Sequence, residues 1–220
     1  MQTVAGQSHR STPNGPSKWR LALLAGAVIA LAGAYVILSS GDLFRGQLSP
    51  QEIAERYLEA RNEYDAKAAR ALIAPDALLN DVPLIGFHEL DAGFEALSIF
   101  EISQDPFECM VGDRETWVSC SYQLDSALND PVGYPPVAGK INFRIADGKI
   151  VELQHNFPFG LYSPFVWRPF VDWLMAEHGE ASFDRIYRIL PSGTATPRLD
   201  SEALSYARTA VADYRASVRP

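Results

Sequence analysis

Between Leu21 and Gly41 the chain reads LALLAGAVIALAGAYVILSSG, without a single charged side chain. About 20 apolar residues are enough for a helix to cross the hydrocarbon core of a bilayer. A transmembrane helix is therefore expected over 19–41. Arg10, Lys18 and Arg20 precede the run, and Asp42 and Arg45 follow it. Positive charge stays inside, so the N-terminus is expected in the cytoplasm and the C-terminal bulk outside, as in a single-pass protein of a bacterial cell membrane. Ser39-Ser40-Gly41 offers small residues for a signal-peptide cut. The apolar region of a signal peptide usually runs only about 7–15 residues, however, so an uncleaved anchor is the reading adopted. No Cys follows the run, which excludes a bacterial lipoprotein. Residues 1–18, rich in Ser, Gly, Pro and Gln, read as a disordered cytoplasmic tail.

Residues 49–220 carry 15 basic and 26 acidic side chains, a net charge of −11. Such a surface does not suit nucleic acid or anionic lipid, so no nucleic-acid partner is expected. The whole chain is 47% hydrophobic and 21% charged, a globular composition. Two cysteines and four scattered histidines exclude a Cys-rich scaffold and a zinc finger. His88-Glu89 has no second ligand pair at helical spacing, so no metal site is expected. There is no Gly-rich phosphate loop and no Gly-x-Ser-x-Gly elbow, and no cofactor is implied.

The outer part begins with a helix start. Ser49 can cap, Pro50 suits the first turn, and Glu52 completes a capping box. Ile53, Tyr57, Ala60 and Tyr64 fall on one stripe behind it. Asp65 is expected to cap a second helix through Ile73, ended by Pro75-Asp76, with a short strand over Ala77 to Val82. Glu89 to Phe100 reads as a further helix. Then the period changes to two. Phe107, Cys109 and Val111 share one face, as do Val118, Cys120, Tyr122 and Leu124. Ile141, Phe143 and Ile145 alternate with polar residues, Asp147-Gly148 makes a tight turn, and Val151, Leu153, His155 and Phe157 alternate on the way back. Helices followed by an antiparallel meander with one apolar face indicate an α+β fold. After Pro158 the pattern is helical again. Ser163-Pro164 is expected to start a helix ended by His178-Gly179, and a short helix is expected near Ala181 to Ile189. Pro191 to Pro197 reads as a linker and Ser201 to Ser217 as an amphipathic last helix. Trp167, Phe170 and Trp173 form an aromatic cluster suited to core packing or to covering the mouth of the domain.

Reflecting the hairpin about its turn sets Cys109 opposite Cys120, with both on the apolar side. Opposed residues in an antiparallel pair can be bridged, and an extracytoplasmic compartment permits oxidation. A structural disulfide is expected, with two buried thiols as the alternative.

The pattern resembles the NTF2-like superfamily, which includes SnoaL-like cyclases and ketosteroid isomerases. The carrying residues are Arg56-Tyr57-Leu58 on the first helix, the run from Ala74 to Asp81 after the second, and INFRIADGKIVELQHNF from Ile141 to Phe157. The resemblance covers 49–158 and leaves 159–220 as a helical extension. It implies a cone of N-terminal helices packed on a curved antiparallel sheet, with an internal pocket. It also implies roles. Tyr57 looks like the helix tyrosine that stabilises an enolate, and Asp81 looks like the proton-shuttling base. The second oxyanion donor of the family falls on Ile141, which cannot donate. The segments FECMVGDRETWVSCSYQ and VWRPFVDWLMAEHG are similar to those of membrane-anchored or secreted actinobacterial members.

From the residues alone, His155 belongs to the inward face, where a histidine near a carboxylate can exchange a proton. It also reads as a core histidine with a tyrosine or backbone partner. Asp81 reads equally as a turn residue before Val82-Pro83, and Tyr57 as a packed helix tyrosine. Two functions follow. One is a non-catalytic binding or scaffolding domain of the bacterial envelope, with envelope proteins or a small hydrophobic ligand as partners. The other is an enzyme moving a proton on a hydrophobic ketone with Tyr57, Asp81 and His155. A homodimer through the outer sheet face is a further expectation.

Overall fold

The structure, a computed structural model, describes residues 48–80, 87–114, 116–190, 193 and 195–218. The expected tail, the expected transmembrane helix and Asp81 lie outside the described residues. Among the described residues no helix is long and apolar enough to cross a membrane.

Helix α1 (Pro50–Asn62) starts as its sequence dictates. The Ser49 hydroxyl accepts from the Glu52 amide at 3.2 Å, and the Glu52 carboxylate accepts from the Ser49 amide at 2.7 Å. Helix α2 (Ala66–Leu72) is capped by Asp65, which accepts from the Ala68 amide at 2.9 Å. Strand β1 (Ile73–Asn80) then begins at once. It runs through Pro75, where the sequence pointed to a helix end and a shorter strand. Its place on the sheet edge explains the tolerance, because an edge strand can do without one ladder donor.

A turn of 3-10 helix (Phe87–Glu89) leads into α3 (Leu90–Ile99). The meander follows as β2 (Ser103–Val111), β3 (Trp117–Asp125), β4 (Val137–Ala146) and β5 (Lys149–Asn156), with a short α4 (Asn129–Val132) in the β3–β4 loop. The sheet order is β1-β5-β4-β3-β2, antiparallel except for the β1–β5 pair.

Two register breaks in the antiparallel ladders decide which of their side chains face the core. The first lies between Gln104 and Phe107, so that Gln104 and Cys109 are both buried. The second lies in β5, where Arg144 pairs with Glu152 but Ile145 pairs with Ile150. Val151 is the extra residue. Ile150, fully buried, holds the core position that simple alternation assigned to Val151.

The core between the helices and the sheet is filled by side chains. Tyr57 and Leu58 of α1, Phe94 and Leu97 of α3, and Cys120, Ile141 and Phe143 of the sheet are all 1% exposed or less. Each such large apolar side chain contributes roughly 1.5–3 kcal/mol by leaving water.

The extension departs from its sequence reading in two places. Helix starts at Phe159, before Ser163. It passes as α5 (Phe159–Tyr162) into a π-helical turn (Ser163–Trp167) and on as α6 (Arg168–His178). Ser163 therefore sits inside a helix rather than capping one. After α7 (Ala181–Ile186), the residues read as helix end and linker pair instead as a two-stranded ribbon of β6 (Tyr187–Ile189) and β7 (Ala195–Pro197). Helix α8 (Ser201–Ser217) buries Leu204, Ala207, Val211 and Tyr214 as expected, with Asp200 as its cap. It packs on α3, α6 and α7. Arg208–Glu95 at 3.0 Å and Arg215–Glu101 at 2.6 Å tie α8 back toward α3.

Candidate functional site

Cys109 and Cys120 are directly opposed in the β2–β3 ladder, with their Cα atoms 4.0 Å apart, and they form a disulfide. Both are buried on the core face. The bridge ties β2 to β3 and leaves neither thiol free.

Tyr57 is 1% exposed and sets its ring edge-on against Phe143 at 5.4 Å. His155 is buried opposite Ile141. The Tyr122 hydroxyl hydrogen-bonds to its Nε2, and the Gln104 amide nitrogen lies 3.2 Å from the same atom. Gln104 is itself fixed by its backbone amide donating to Asn62 Oδ1 at 2.9 Å. Tyr122 and Gln104 were not singled out from the sequence as partners of His155, although Tyr122 lies on the same apolar face. The imidazole edge also meets the Phe157 ring, 5.6 Å between centroids.

Phe157 leads to an apolar cavity of about 370 Å³. One wall comes from the domain, through Phe100, Ile102, Leu128 and Phe157. The facing walls come from the extension. The α5–α6 run supplies Phe159, Tyr162, Ser163 and Trp167, and the α7–β7 segment supplies Phe183, Tyr187 and Ala195. Phe159 and Ile189, 43% and 57% exposed, stand at the opening. Neither Tyr57 nor His155 lines this space.

One phenol in its wall is already hydrogen-bonded. Ser126 Oγ donates to Asn129 Oδ1 at 2.6 Å, so the Tyr162 hydroxyl, 2.9 Å away, donates to Ser126. Asn129 Nδ2 passes the chain on to the Tyr134 and Pro135 carbonyls, each at 3.3 Å. Trp167 sets its ring edge-on against Tyr187, 5.6 Å between centroids. Burial pushes the Tyr162 phenol up to about 12, with Asp125 adding to it and the Ser126 hydrogen bond opposing it. Burial raises Tyr187 further still. Both rings therefore stay neutral at ordinary pH. No Asp, Glu, Lys, Arg or His lines the cavity among the described residues. Among the same residues, no cluster of three or more His, Cys, Asp or Glu is placed to hold a metal.

The sequence of the extension reads as helices and a linker. Nothing in its pattern showed the β6–β7 ribbon or the cavity it helps enclose. The aromatic spacing of Trp167, Phe170 and Trp173 was the available signal. Of these, Trp167 lines the cavity, while Phe170 and Trp173 pack on Tyr214 at 5.4 and 5.2 Å.

No family model matches the chain, and no curated protein does. Solved structures are similar to it. In fold the chain is similar to NTF2-like proteins. One is an NTF2-like protein of Cytophaga hutchinsonii, with 11% identity over 53% of this chain and 96% of that one, TM-score 0.40. A polyketide-cyclase-like protein of Pseudomonas putida shows 15% identity over 54% and 98%, TM-score 0.46. A Mycobacterium tuberculosis protein, solved in complex with estradiol-17β-hemisuccinate, shows 15% identity over 52% and 98%, TM-score 0.41. These similarities concern fold and bring no activity with them.

Proposed function

We propose that this chain is a binding module that holds a small, uncharged, largely apolar molecule in the cavity between the end of the sheet and the C-terminal extension. The carrying observation is the cavity itself. It is large enough for such a ligand, walled by aromatic rings, and free of ionised side chains among the described residues. A charged ligand would lose its hydration there with nothing to replace it. The two phenols in the wall are held neutral by burial, so they give the cavity no general base. Catalysis through Tyr57, Asp81 and His155 is not the reading adopted. The first and last lie outside the cavity wall, and Nε2 of His155 is engaged by Tyr122 and Gln104.

The apolar run Leu21–Gly41 and the basic residues before it support a membrane-anchored, extracytoplasmic setting for this module. An oxidised Cys109–Cys120 pair suits the same setting. In that setting the module would present a hydrophobic ligand to, or sequester it from, other components of the bacterial envelope.

The test is titration of the full chain in nanodiscs with the neutral fluorophore N-phenyl-1-naphthylamine, beside an Ala195→Phe chain whose added ring occupies the cavity. Saturable fluorescence enhancement is expected in the native chain, with at least a tenfold weaker response in the variant at an unchanged thermal midpoint. Equal responses from two folded chains would overturn the reading.

A further inference from the structure

The first helical run after the sheet is apolar on both faces. Tyr162, Val166 and Phe170 are buried on its inner face. Gly160, Leu161, Pro164, Phe165 and Arg168 are exposed. Neighbours in sequence and residues four apart lie on one side of a helix, so these five form its outer face. Leu161 is 51% exposed and Phe165 50%, and the Phe165 ring stacks on Tyr134 at 5.2 Å between centroids. No polar side chain enters that face before Arg168. The longest helices present a different surface. Helix α1 exposes Glu52, Arg56 and Glu59, and α8 exposes Glu202, Arg208 and Asp213. A contiguous apolar face left open to solvent marks a contact surface.

Reach and charge say what that contact is. Only seven residue steps separate Gly41, the end of the uncharged run, from Leu48, the first described residue. An extended chain gains at most about 3.5 Å per residue, so the tether is no longer than about 25 Å. Residues 49–158 carry 8 basic and 19 acidic side chains, whereas 159–220 carry 7 of each. The net charge of −11 thus lies wholly in the first segment, and the extension is neutral. The negative potential of a bilayer surface repels the first segment and leaves the extension free to approach. Leucine and phenylalanine on a helix face, with an arginine at its end, suit the boundary between acyl chains and headgroups.

We propose that the outer face of the α5–α6 run, through Leu161, Pro164 and Phe165, docks on the surface of the bilayer that holds residues 21–41. This rests on that run being a membrane anchor and does not depend on what the cavity holds. Leu161 and Phe165 enter the boundary below the headgroups. Arg168, which holds Asp172 through Nε at 2.8 Å, reaches the headgroup phosphates with its other N–H groups. Phe159, at the cavity opening and next in the chain to this face, then lies at the lipid surface.

Both native cysteines are in the disulfide, so one added cysteine is the sole thiol for a nitrobenzoxadiazole label. The full chain is placed in phosphatidylcholine vesicles with and without doxyl-labelled phosphatidylcholine. Labels go at Gly160→Cys, where a Cβ meets nothing within 4 Å, at Lys67→Cys, exposed on α2, and at Ala30→Cys in the apolar run. Docking predicts doxyl quenching at position 160 about threefold above that at position 67. Adding Leu161→Glu and Phe165→Glu should lower it to the level at position 67. The comparison of 160 with 67 decides the matter even where the double variant does not fold. Quenching at 160 no stronger than at 67, or undiminished in a folded double variant, overturns the docking; quenching at 30 then leaves the anchor standing. No quenching at 30 overturns the anchor and the docking with it. Emission at 160 shifted to the blue without doxyl quenching means that a second copy of the chain covers the face, which also overturns the docking.

Discussion

Tyr122 holds its place because Gly139 sits directly across the ladder from it. A Cβ at Gly139 would fall within the Tyr122 ring, so the side chain can fold over the strand only where a side chain is missing. The ring delivers its hydroxyl to His155. Gly139→Ala must push a 2%-exposed ring out of a packed core. We expect a loss of about 1–3 kcal/mol, read from the urea midpoint at constant slope. An unchanged midpoint would show that the ring has room to move.

Tyr162 gives a pH prediction. Its folded pKa, about 12, stands above the ordinary value of 10 because of burial. A raised pKa means that the folded state keeps its proton longer, so the contribution is complete below pH 10 and is lost as pH rises towards 12. Tyr187, raised for the same reason, acts in the same direction. Stability should fall through that window, by on the order of 2 kcal/mol for Tyr162 alone. The comparison is with Tyr162→Phe, whose stability should fall less steeply between pH 10 and 12. Parallel curves would contradict the assignment.

Among the elements, the β2–β3 hairpin has its pairing legible from Phe107 to the turn. Cys109–Cys120 and Val111–Val118 were set opposite by reflection alone, and the ladder has both pairs. The capping box of α1 and the buried stripe of α8 were legible for the same reason, since each depends on spacing within one segment. What sequence spacing could not show were departures from a regular period. The bulge at Val151 shifts the core position to Ile150, and the break at Asp105-Pro106 brings Gln104 inward. The π turn moves Ser163 from a cap into a wall, and β6 and β7 form only because two short segments find each other. Each depends on tertiary partners that no single window contains.

The disulfide carries the prediction at this scale. It closes a loop with a sequence separation of 11, for which chain-entropy arguments give about 2–3 kcal/mol. Replacing both cysteines with alanine should lower stability by about that amount. Addition of reductant should then destabilise the native chain but not the double variant. A native chain indifferent to reductant, though fully reduced by thiol count, would mean that the ladder alone holds the hairpin.

For the molecule as a whole, the proposed ligand cavity lies where the extension meets the end of the sheet. The interior of the helix–sheet core is filled by Tyr57, Phe94, Ile141 and Phe143. Tyr57 and His155, two of the three candidate residues read from the sequence, are buried in that core. The cavity instead depends on the segment after Pro158, whose walls were invisible as long as its strands were read as a linker. Asp81 lies outside the described residues, and the chemistry assigned to it rests on the resemblance to the isomerases. The two readings of function thus point to two different places in the same chain.

Hydrogen–deuterium exchange of the full chain in nanodiscs, with and without saturating N-phenyl-1-naphthylamine, separates them most directly. Binding in the cavity predicts slowed exchange in 159–167 and 187–197, with little change in α1 and around His155. Protection concentrated in α1 and the β4–β5 hairpin, with the extension unaffected, would contradict the account and place the ligand in the interior of the helix–sheet core.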